Sequence, residues 1–85
     1  MPLSPQRAFG ARVRELRLAA GLTQEDLAAR CGLFRTYMSR IETGNANPTL
    51  TMIHALAASL RVPVTALFET DGAEPESKRT SRPRK

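Results

Sequence analysis

Arg35, Thr36, Ser39 and Arg40 crowd into one short segment of the chain. On a helix they share one side, while Met38 and Ile41, at i and i+3, take the other. An arginine meets the paired acceptors of guanine with its fork of N–H donors. Thr and Ser hydroxyls bond bases or phosphates, and the Thr methyl packs on the thymine methyl. The segment carries no acid before Glu42. Alone, each of these residues is ordinary solvated surface; together they form a face suited to the major groove of double-stranded DNA.

The elements that must position this face are legible on either side. Thr23 caps a helix whose first turn holds Glu25 and Asp26, where the macrodipole favours acids. Leu27, Ala28 and Cys31 point inward, and Gly32 stops that helix. After Leu33 the next helix runs through about Arg35–Glu42 and ends at Gly44. Two short helices around a glycine turn make a helix-turn-helix. Upstream, Ser4 and Pro5 open a helix of about residues 5–20, with Phe9, Val13, Leu16 and Ala20 as its apolar stripe. Arg12 lies off that stripe. Downstream, Thr49 caps a fourth helix with Leu50, Ile53, Leu56, Ala57 and Leu60 inside. Pro63 opens a short fifth one carrying Val64, Leu67 and Phe68. The expected fold is all-α: a compact five-helix bundle over residues 1–70, followed by a disordered basic tail over 71–85.

The whole chain sets limits on what this face can serve. Its 85 residues suffice for one domain. The net charge is +5, of which residues 71–85 contribute five basic groups against three acidic. A basic chain with a basic tail suits a polyanion. One cysteine, Cys31, allows no internal disulfide, and one histidine, His54, offers no metal site. No apolar run reaches membrane length, and no signal-peptide pattern opens the chain, so a cytoplasmic protein without cofactor is expected. Nothing pairs a nucleophile with a base or builds a glycine-rich phosphate loop, which argues against an enzyme.

The run Leu22-Thr23-Gln24-Glu25-Asp26-Leu27-Ala28 resembles the first half of the phage-repressor-like, or XRE, helix-turn-helix. Arg35 through Gly44 resembles its recognition helix and following turn, and Asn47-Pro48-Thr49-Leu50 the loop before its fourth helix. Arg-Thr-Tyr followed by Ser-Arg-Ile-Glu is also similar to the small controller proteins of restriction–modification systems. The resemblance implies a lambda-repressor-like fold. By it, Arg35, Thr36, Ser39 and Arg40 face base edges, while Thr23, Gln24, Tyr37, Asn45 and Asn47 meet the sugar-phosphate backbone. Arg17 and Glu42 match a buried ion pair that ties the first helix to the third. Two positions depart from the pattern. Phe34 stands where a Ser, Thr or Asp cap is usual, and is read as a core plug beneath the turn ahead of an exposed ring near DNA. Arg61 stands where glycine often closes the fourth helix.

The expected function is a transcription regulator that binds a pseudo-palindromic operator as a homodimer. Val62, Val64 and Phe68 are the expected dimer surface, with Val64 and Phe68 sharing a face as an i, i+4 pair and Leu67 turned to the core. The alternative is an antitoxin that neutralises a toxin partner and autoregulates its operon.

Overall fold

A computed structural model describes residues 4–69. They form α1 (Pro5–Ala19), α2 (Gln24–Cys31), α3 (Arg35–Glu42) and α4 (Leu50–Leu60), followed by a 3-10 turn over Val64–Phe68. No helix among the described residues is long and apolar enough to cross a membrane. The expected basic tail lies outside the described residues.

Capping chemistry sets the starts of three helices. The Ser4 hydroxyl accepts the Arg7 N–H at 3.1 Å, with Pro5 in the first turn of α1. Thr23 and Asp26 form a reciprocal box at the start of α2, each side chain accepting the other's backbone N–H at 2.9 Å. The Thr49 hydroxyl accepts from Met52 at the start of α4. Only α3 starts without a side-chain cap. Its N-cap residue is Phe34, whose ring has no polar atom to offer a backbone N–H.

Val13, Leu27, Met38, Ile41, Leu56 and Leu67 are fully buried, drawing α1, α2, α3, α4 and the 3-10 turn around one core. The stripes that periodicity marks hold in mid-helix and fail at two helix ends. Ala20, expected inside, is the exposed C-cap of α1. Leu50, also expected inside, is 70% exposed at the first position of α4.

The count of five helices is corrected to four plus the 3-10 turn. A five-residue segment has scarcely room for the first i→i+4 bond, so its ends tighten to i→i+3. Ala66 donates to Pro63 and Glu69 to Ala66 in that way. Arg12 holds the turn from outside, donating Nε–H to the Ala66 carbonyl at 2.7 Å while its terminal nitrogens meet Glu15 and Glu69. The change of pitch also corrects the shared face of Val64 and Phe68. In a 3-10 turn the eclipsed pairs are i and i+3, so Val64 goes with the fully buried Leu67, and Phe68 stands apart. Phe68 is 56% exposed and leans on Phe9, ring centroids 5.3 Å apart.

Arg61 closes α4 in the left-handed region, at φ 60° and ψ 45°, with its N–H on the Ala57 and Ala58 carbonyls. A side chain there costs about 1 kcal/mol against glycine.

Candidate nucleic-acid interface

α3 stands on an apolar underside. Met38 and Ile41 are essentially inaccessible, and Tyr37 is half-buried against the core. Rotation along the helix therefore leaves Arg35, Thr36 and Arg40 exposed, with Ser39 half-buried beside them. The helix-turn-helix geometry comes from Gly32, which ends α2 at φ 72°, a conformation that suits a residue without Cβ. Leu33 then donates its N–H to the Ala28 carbonyl at 2.8 Å.

Beneath this face lies a buried ion pair. Arg17 donates from Nε to Glu42 Oε2 at 2.7 Å and from a terminal nitrogen to Oε1 at 3.0 Å. Its other terminal nitrogen reaches the Leu22 carbonyl at 2.8 Å. The two charged side chains are 8% and 2% exposed, so the pair stays out of water and neither partner is dispensable. It locks the end of α3 onto α1 and onto the entry to α2.

Gln24 extends this network to the surface. Its Nε2 donates to Glu42 Oε1 at 3.1 Å, and its Oε1 accepts from Arg35 at 3.3 Å. Glu25 draws the same guanidinium from 3.9 Å. Thr23, Gln24, Glu25 and Arg35 line one open concavity between the starts of α2 and α3. The Asp26 carboxyl is held below its ordinary range, chiefly by the Thr23 backbone N–H, then by the Thr23 hydroxyl, with a smaller contribution from Arg30.

The sequence-derived residues are thus only partly gathered. Arg40 donates to the Asn45 carbonyl at 2.9 Å, and the Asn45 amide donates to the Thr43 hydroxyl at 3.0 Å, so these sit together past the end of α3. Asn47 lies elsewhere, in a shallow cleft with Phe9, Ile53 and Phe68. Val62 and Val64 are half-buried. Phe34 corrects the reading as a core plug: its ring is 85% exposed at the start of α3. The plug reading took Phe34 for part of the turn's interior, but extended backbone at φ −78° and ψ 149° turns the residue outward, and Leu33 packs against the core.

Two positioning residues were missed in the sequence. Gly10 is buried in mid-α1 against α3; an added Cβ would overlap the Ile41 carbonyl and come within 2.8 Å of the Glu42 oxygen. The signal was a glycine inside an otherwise apolar helical pattern. Arg12 lies off the apolar stripe, and nothing local in the sequence announces its long-range bond to Ala66.

A family model described as a helix-turn-helix domain matches residues 8–69. The chain is 44% identical over 55 residues to the control protein C.BamHI of Bacillus amyloliquefaciens, covering 64% of this chain and 68% of that protein. It superposes on the restriction–modification controller protein C.AhdI from Aeromonas hydrophila with a TM-score of 0.73 and 44% identity, covering 74% of this chain and 96% of the other. The biofilm master regulator SinR, solved in complex with DNA, matches with a TM-score of 0.67 and 29% identity over 72% of this chain and 98% of that one.

Proposed function

Because this chain belongs to the helix-turn-helix family of DNA-binding transcription regulators, we propose that it binds a pseudo-palindromic operator in the cytoplasm as a homodimer, in the manner of a restriction–modification controller. The observation that carries this reading is the α3 face: Arg35, Thr36 and Arg40 exposed, and Ser39 beside them, on a fully buried underside of Met38 and Ile41. A helix so mounted enters the major groove with its first residues nearest the base edges. Arg35, Thr36, Ser39 and Arg40 read bases. Thr23, Gln24, Tyr37, Asn45 and Asn47 hold the backbone. Gln24 keeps one N–H of its amide for a phosphate while the other stays on Glu42.

One such helix reads only a few base pairs, too few to select a site in a genome. Two copies about a two-fold axis double the read length, with half-site centres about 34–36 Å apart. The proposed contact is made by Val62, Val64 and Phe68, away from α3. The part-exposed ring of Phe68 supports an apolar meeting surface there.

Selection of bound sequences from random duplex DNA tests the reading. A two-fold symmetric consensus is expected. Arg35→Ala should weaken binding to it by about 1–3 kcal/mol and relax preference at one base-pair position per half-site. Undiminished affinity and selectivity in that variant would remove α3 from the reading role.

A further inference from the structure

Phe34 is a phenyl ring set where the fold asks for a polar cap. Ser4, Thr23 and Thr49 supply the caps of the other three helices, and α3 has none. A missing cap costs about 1 kcal/mol, and here burial does not offset it, because the ring is 85% exposed. It is also the residue directly before Arg35, at the end of α3 that lies nearest base edges in a major-groove complex. Around it the exposed groups of α3 are cationic or hydroxylated. Whatever covers Phe34 must therefore present an apolar group within a polyanionic surface. On the major-groove floor of duplex DNA that group is the C5-methyl of thymine. Stacking on the ring is a poor alternative in a duplex, where base faces are already occupied by neighbouring bases. Insertion of apolar wedges between base steps belongs to minor-groove binders rather than to a helix lying in the major groove.

We propose that Phe34 is a specificity-determining residue that reads a thymine methyl beside the base contacted by Arg35. The proposal rests on the α3 reading above and adds to it a preference that hydrogen bonds alone do not supply. Thymine differs from deoxyuridine only in that methyl, so the contact can be removed from the DNA side without disturbing base pairing.

The test uses the full chain and the operator recovered by selection, with each thymine in turn replaced by deoxyuridine. Wild-type affinity should fall about three- to five-fold per half-site at one thymine, the scale of one buried methyl. Phe34→Ala should lose a similar factor on the unmodified operator and be indifferent to deoxyuridine at that position. Phe34→Ser restores a cap, so its fold is secure, and it should show the same indifference. The proposal is overturned if Phe34→Ala and Phe34→Ser bind the operator as tightly as wild type. It is equally overturned if the deoxyuridine penalty is the same in all three proteins, or if no half-site position prefers thymine. In each of those cases a defined operator still sustains the α3 reading. A wild-type protein that selects no sequence at all overturns both.

Discussion

At the scale of single residues, backbone proximity outweighs intrinsic preference. Glycine in the middle of a helix is ordinarily a weakness, and replacing it by alanine gains about 1 kcal/mol. Gly10 inverts that sign. Its missing Cβ is the space into which the Ile41 and Glu42 carbonyls of α3 fit. Gly10→Ala should therefore destabilise the domain by about 2–3 kcal/mol, since neither backbone can give way without dragging α3 off α1. Chemical denaturation of the two proteins checks the sign, and a stabilised variant would contradict the packing described. The same displacement would disturb the Arg17–Glu42 pair, which depends on the same approach of α1 and α3.

At the scale of elements, α2 is held at its start by a titratable group. The folded Asp26 carboxyl binds its proton less readily than the unfolded one, because ionised oxygen accepts the Thr23 N–H. The resulting stabilisation is complete above the unfolded value, about pH 4, and is lost as pH falls through the lowered native value. Asp26→Asn has no such proton to gain. Wild type should be the more stable at about pH 5, and the gap between the two should narrow steadily toward about pH 2. Urea midpoints across that range measure it; a constant gap would mean that the box works without the charge. Asp26 is wholly exposed, so the effect is that of one solvent-screened cap.

At the scale of the whole molecule, the proposed dimer places its contact on the 3-10 turn and not on α3. Phe68→Asp puts a charge into that contact while leaving the α3 face intact. It should shift the protein from dimer to monomer in sedimentation at micromolar concentration. It should also weaken operator binding by about 2 kcal/mol or more without changing base preference. Because Phe68 also leans on Phe9, circular dichroism of the variant is part of the measurement. A folded variant that remained dimeric would move the contact away from the 3-10 turn.

The sequence by itself determined what local chemistry controls. Ser4, Thr23 and Thr49 can each accept a hydrogen bond from the backbone just ahead, so helix starts were written in the chain. Leu27, Met38, Ile41 and Leu56 recur at helical spacing, and α2, α3 and α4 bury them. The polar side of α3 followed from the same periodicity, because a helix that hides Met38 and Ile41 must turn Arg35, Thr36 and Arg40 outward. Tertiary structure decided whatever depends on who stands opposite. Leu50 fits an inner stripe by spacing, yet at the first position of α4 it stands 70% exposed. Val64 and Phe68 share a face only if their segment has α pitch, and five residues pinned by Arg12 take the tighter one. The outward ring of Phe34 and the bridging of Glu42 to Arg35 through Gln24 are contacts, or the lack of them, between groups distant in the chain. Periodicity gives a residue its side of a helix; the packing of that helix against the others decides whether that side meets protein or solvent.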